Sequence, residues 1–168
     1  MRREFYEKSV EFFRKPGWPS LIMLLMNRGV PLVMACVYII LCIFVIFVNP
    51  VFAIRFMGVP LGTVVVVTII RRVINRPRPY ETLDFVPIQY TDKKRGGKCF
   101  PSRHCARAGV IAIATLALMP WIGIVMLALS IFVALSRVLA GVHYLVDVLC
   151  GLGFGLVVGL IGFWPFVF

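Results

Sequence analysis

Apolar residues in this chain come in runs of nearly twenty, and the polar residues fall between the runs. Residues 30–48, 56–74, 102–119, 121–139 and 144–163 each hold such a run. A helix needs about 20 residues, at about 1.5 Å each, to cross a hydrocarbon core of about 30 Å. The pattern therefore predicts an all-α fold, a multi-pass transmembrane helix bundle with about five spans. The third run is the least apolar, since Arg103, His104 and Arg107 lie near its start, but the stretch 109–119 is uninterrupted. Pro31 stands where a first helical turn tolerates it, and Asn49-Pro50 and Met119-Pro120 read as breaks between successive spans.

Two regions depart from this pattern. Residues 1–15 alternate charges with Phe5, Tyr6, Val10, Phe12 and Phe13, which predicts an amphipathic helix lying in the membrane interface. The apolar stretch 20–26 is too short to cross, so residues 1–28 form an interfacial segment of a single membrane domain, 1–168. Glu4, Glu7 and Glu11 interrupt that segment, and no short apolar core precedes a small-residue cleavage site, so a retained N terminus is expected. Residues 75–101 are the long polar stretch, a water-facing loop with Glu81, Asp84, Asp92 and the basic run 93–98. In the last span Gly151, Gly153, Gly155, Gly159 and Gly162 predict close helix packing.

Alternation of the spans now places the polar clusters. If the second span ends on one face, the third begins there, the fourth returns there at Ser136-Arg137, and the fifth departs from it at His143. Residues distant in sequence thus converge on one membrane surface.

Charge sharpens this reading. The chain holds 18 Lys and Arg against 7 Asp and Glu, a formal charge of +11, and 61% of it is apolar. An excess of cations fits nucleic acid, an anionic membrane surface or a phosphorylated ligand. The basic residues crowd a membrane boundary and no soluble recognition module is present, which argues against nucleic acid. Arg72, Arg76, Lys93, Lys94, Arg95 and Lys98 read as topology anchors or contacts to anionic lipid, and Tyr80, Glu81, Asp84 and Tyr90 as ordinary loop residues. The five cysteines form no metal-type pair, and only Cys99 and Cys105 are placed to bridge; free thiols are the plainer expectation.

From Val110 onwards the only Asp, Glu, Lys, Arg or His side chains are Arg137, His143 and Asp147. Charge inside a bilayer is expensive and marks function. His143 and Asp147 are four apart, so on a helix they share a face, and the carboxylate can hold one imidazole nitrogen while the other stays free, which is how a histidine nucleophile or base is oriented. Arg137 precedes them with donors suited to phosphate oxygens. His104 opens the third span on the same face as a natural proton donor. Before it, Pro101-Ser102 reads as a helix start, where unpaired N–H groups favour an anion. Arg71, Arg72, Arg76 and Arg78 cluster where the second span emerges.

Arg71 through Arg78-Pro79, then Pro101-Ser102-Arg103-His104, then Ser136-Arg137 followed by His143 and Asp147, resemble the three-part signature of the type-2 phosphatidic acid phosphatases, K-x6-R-P, P-S-G-H and S-R-x5-H-x3-D. The third part matches at every fixed position, and the resemblance runs from about Phe56 to the end of the chain. Arg71 stands where the pattern has lysine, and Arg103 where it has glycine. The resemblance implies hydrolysis of a lipid phosphate monoester or diphosphate in two steps. His143, oriented by Asp147, attacks phosphorus; His104 protonates the leaving alkoxide; water then hydrolyses the phosphohistidine. Arg71, Arg78, Ser102 and Arg137 would hold the phosphoryl oxygens, with Arg103 contributing charge near the headgroup. No metal or cofactor is implied. The competing reading is a membrane protein that binds or moves anionic lipid without chemistry. Charge counting places the basic loop in the cytoplasm, whereas the resemblance implies a site in the cell membrane that faces away from it.

Overall fold

The computed structural model describes residues 2–88 and 96–167, so Tyr90, Asp92, Lys93, Lys94 and Arg95 lie outside the described residues. Among the described residues the chain is helices and turns without a strand. The helices are α1 (Arg2–Arg14), α2 (Trp18–Leu24), α3 (Val30–Val48), α4 (Pro50–Ile74), α5 (Pro79–Thr82), α6 (Arg103–Leu118), α7 (Pro120–Leu139) and α8 (Leu145–Val167).

Among the described residues four segments are long and apolar enough to cross a membrane: Trp18–Val48, Pro50–Thr82, Pro120–Leu139 and Leu145–Trp164. Their outward faces are apolar, with Phe47 and Trp121 each 83% exposed. The run expected as the third span is different in kind. At 16 residues α6 reaches only about 24 Å, and it lies inside the bundle, packed on α8, α7 and α4 with residues 108–115 all buried. A helix sheathed by its neighbours need not match the bilayer in length.

The first span also differs from expectation. Residues 25–29 form a π-helical turn, Val30 N–H bonding Leu25 O, that joins α2 to α3 without a break. Pro31 accounts for the widened turn. It has no N–H, and its ring crowds the carbonyl four residues back, that of Asn27. That carbonyl takes a donor from elsewhere, Arg137 Nη2 at 3.0 Å. Pro60 inside α4 is handled in the same way: it leaves the Phe56 carbonyl without a helical donor, and Tyr38 Oη supplies one at 2.8 Å.

Helix ends follow local chemistry. Asn49 caps α4 by accepting from Phe52 N at 3.0 Å, with Pro50 in the first turn. Asn75 ends α4 in the left-handed region, φ 41°, and turns the chain back over the bundle. Interior contacts between α6 and α8 depend on glycine. A side chain at Gly151 would meet the backbone of Ser102, one at Gly155 the Ala106 carbonyl, and one at Gly159 Ile113, while Gly162 faces Val59 of α4. Gly153, expected to serve the same purpose, faces open space. Far from the polar end, Phe52, Phe56 and Phe163 interlock with ring centroids 5.9 to 6.4 Å apart.

Candidate active site

The end of α4, the starts of α6 and α8 and the end of α7 meet at one end of the bundle. Ser102 N donates to Asp147 O at 2.8 Å, which ties the first residues of α6 to α8. His143 N and Val142 N both donate to Arg137 O at 3.2 Å, and Gly141, at φ +72° where any side chain would strike the Phe85 ring, makes the tight turn between them. The polar clusters therefore share one face.

His143 and Asp147 are 3% and 0% exposed, and His143 Nδ1 lies 3.7 Å from Asp147 Oδ2. Asp147 is held from three further directions. Arg76 Nη1 donates to Oδ1 at 3.0 Å, and Cys99 Sγ and Tyr144 N donate to Oδ2 at 2.8 and 3.0 Å. Arg76 also lies over the Tyr144 ring, 4.7 Å from its centroid. Arg76, read from sequence as an anchor, is thus an ion-pair partner of the acid, because the left-handed turn at Asn75 directs it inward.

Burial drives the His143 pKa down to about 4, assisted by the charges of Arg78 and Arg71 and opposed by Asp147. The imidazole is neutral at physiological pH, with Nδ1 engaged and Nε2 available. Burial, reinforced by Asp147, pushes the Cys99 thiol up to about 12, so it persists as S–H.

The arginines divide into two groups. Arg71, buried, donates from Nη1 to Pro101 O at 2.8 Å and Cys99 O at 3.3 Å, and Arg78 Nε donates to Gly97 O at 3.2 Å. Glu81 fixes that loop by accepting from Arg78 N at 2.7 Å and Gly97 N at 2.9 Å. Arg71, Arg72, Arg78, Lys98 and Arg103 line a cavity of about 320 Å³ with no carboxylate among its described walls, a setting that attracts an anion. Arg137 belongs to the second group, with His104. Its Nη2 serves Asn27 O, and its buried Nε has no hydrogen bond among the described residues; nor does Ser102 Oγ. His104 lies within electrostatic range of Arg137, Arg107, His143 and Arg103. With Arg107 it forms the polar end of an apolar groove of about 370 Å³ between α3 and α4, lined by Met34, Tyr38, Met57 and Leu61.

All five cysteines are free thiols. Cys99, His143 and Asp147 offer donor atoms within 4.8 Å of one another, but these atoms already satisfy each other, and three nearby arginines oppose a divalent cation. Their chemistry suits a hydrogen-bonded relay. The N-terminal helix, expected only to lie on the membrane, also touches the site's rear: Tyr6 Oη donates to His143 O at 3.3 Å, Ser9 Oγ to Leu139 O at 3.0 Å and Arg14 Nη2 to Val86 O at 2.7 Å.

Comparison with known proteins bears on this site. A family model described as PAP2 superfamily matches residues 52–167. Lipid A 1-phosphatases of Rhizobium etli and Rhizobium johnstonii are each 32% identical over 89 and 92 residues, which is 52% of this chain and 38% and 36% of theirs. The chain thus spans well under half the length of these relatives in the matched stretch. Among solved structures, a PAP2-type phosphatidylglycerolphosphate phosphatase from Bacillus subtilis superposes with TM-score 0.72 at 21% identity over 96% of this chain and 82% of its own. Aquifex aeolicus LpxE superposes with TM-score 0.72 at 22% identity over 95% and 92%. At such identities the likeness is one of fold.

Proposed function

The chain belongs to the PAP2 superfamily, and from that membership and the site's geometry we propose that it is an integral membrane phosphatase removing a phosphate group from a lipid. The observation that carries the reading is the neutral, buried imidazole of His143, held at Nδ1 and within the field of Arg71 and Arg78, whose cavity has no described acidic wall.

In the first step the substrate phosphoryl group enters beside Arg71, Arg78 and Arg103. His143 Nε2 attacks phosphorus, the N–P bond forms as the P–O bond to the lipid breaks, and His104 gives its proton to the departing oxygen. Asp147 stabilises the positive charge that grows on the imidazole ring. Ser102 Oγ and Arg137 Nε, buried without hydrogen bonds among the described residues, are suited to take phosphoryl oxygens as charge redistributes. In the second step His104 takes a proton from water, which attacks the phosphohistidine and releases phosphate. No step calls for a metal ion. The apolar groove beginning at His104 would receive the lipid's hydrocarbon portion, and the site would face away from the cytoplasm.

Phosphatidic acid, phosphatidylglycerol phosphate and an isoprenoid diphosphate are the candidate substrates; lipid A phosphate joins them because of the Rhizobium relatives' names. Phosphate release by the purified protein in detergent, measured on all four in parallel, tests the proposal. At least one should be hydrolysed in a chelator. Binding of these lipids without release by any of them would favour the non-catalytic reading instead.

A further inference from the structure

Cys99 has no role in the steps above, yet its thiol lies nearer to His143 Nδ1 than the Asp147 carboxylate does. Its Sγ lies 3.2 Å from His143 Nδ1 and 2.8 Å from Asp147 Oδ2, while Nδ1 and Oδ2 are 3.7 Å apart. The thiol therefore stands between acid and base. Its placement is fixed on both sides, since Cys99 N donates to Arg76 O at 2.9 Å and Cys99 O accepts from Arg71 Nη1 at 3.3 Å.

We infer that Cys99 is a positioning residue for the nucleophile, its thiol relaying the Asp147 carboxylate to the imidazole as Nδ1–H to Sγ and S–H to Oδ2. The inference rests on the nucleophile role proposed for His143. Sulfur is ordinarily a weak acceptor, but donation of S–H to a carboxylate enriches the sulfur and strengthens the bond it accepts. With the proton kept on Nδ1, the lone pair of Nε2 points at phosphorus. Loss of the thiol leaves the 3.7 Å gap between His143 and Asp147 unbridged, and the ring is free to rotate or change tautomer. It also lets water approach and leaves the Asp147 charge undivided, both of which favour imidazolium.

The test compares kcat, KM and pH profiles of the wild type, Cys99→Ala, Cys99→Val, Cys99→Ser and His143→Ala on the best of the four lipid phosphates, with thermal unfolding recorded for each. Cys99→Ala and Cys99→Val should lower kcat by roughly 10- to 100-fold with little change in KM, and their acid limbs should move to higher pH. Serine, which donates and accepts at the same place, should recover most of kcat. Full kcat in Cys99→Ala, or recovery in Cys99→Val, would overturn the relay, the latter by showing that volume alone matters. His143→Ala separates the two claims. If it is inactive while Cys99→Ala is unimpaired, only the relay fails; if it turns over, the nucleophile assignment itself is lost.

Discussion

Arg76 reaches across 71 residues of sequence to pair with Asp147 at 3.0 Å, and the same guanidinium lies on Tyr144. The carboxylate is fully buried, so its charge needs this partner. Replacing Arg76 with Ala should reduce kcat by about tenfold or more and lower thermal stability, because Asp147 Oδ1 loses its donor. Arg76→Lys keeps the charge but not the planar contact with Tyr144, and should recover only part of the loss. Steady-state kinetics with a melting curve on each variant checks both.

Acidity supplies a second prediction. Attack requires neutral imidazole, and burial has moved the His143 pKa down to about 4. A lowered pKa extends the neutral form towards acid, so the acid limb of kcat/KM should lie well below pH 6.5, on approach to the His143 value. In the two-histidine scheme the alkaline fall belongs to loss of the proton on His104. A pH–rate profile with an acid limb near 6.5, the ordinary histidine value, would contradict the burial argument.

Pro31 gives a third. Without an N–H at this position the Asn27 carbonyl accepts from Arg137. Pro31→Ala restores a helical donor that competes for that carbonyl, and Arg137 should lose its fixed position. Activity should drop by a few-fold, in keeping with about 1 kcal/mol for one hydrogen bond, while thermal stability is maintained or rises. Kinetics and melting together separate this from simple unfolding.

The packing of α8 on α6 can be tested by paired substitutions. Gly155→Ala forces a methyl group into the Ala106 carbonyl, whereas Gly153→Ala enters open space. The first should lower stability by roughly 1–3 kcal/mol or more, and the second should leave the melting temperature nearly unchanged.

Much of this molecule was legible before its structure. Apolar runs defined the helices, and alternation placed Arg71, Ser102, Arg137 and His143 at one end, since both signals are local and periodic. The spacing of His143 and Asp147 is likewise local. Cys99 reads in sequence only as a thiol that could bridge to Cys105, and Arg76 as an anchor within an arginine cluster, because nothing near them marks their contacts; they reach His143 and Asp147 only through the tertiary fold. A signal existed for Asn27 and Phe56. Pro31 and Pro60 each leave a carbonyl four residues earlier in want of a donor, and the structure supplies Arg137 and Tyr38. The central placement of α6 was hidden by its composition, because an apolar helix sheathed by others has the same residues as one facing lipid. Tyr6, Ser9 and Arg14 looked like parts of a surface helix, and only packing reveals that they hold carbonyls behind the site.

Rapid acid-free quenching of the protein turning over a ³²P-labelled lipid phosphate, followed by mapping of the bound label, most directly tests attack by His143. Label should appear on the His143 side chain, stable in base and labile in acid, and be absent from His143→Ala, whose turnover should fall by roughly 10⁴-fold or more. Label on another residue, or phosphate release by His143→Ala at a substantial fraction of the wild-type rate, would contradict it.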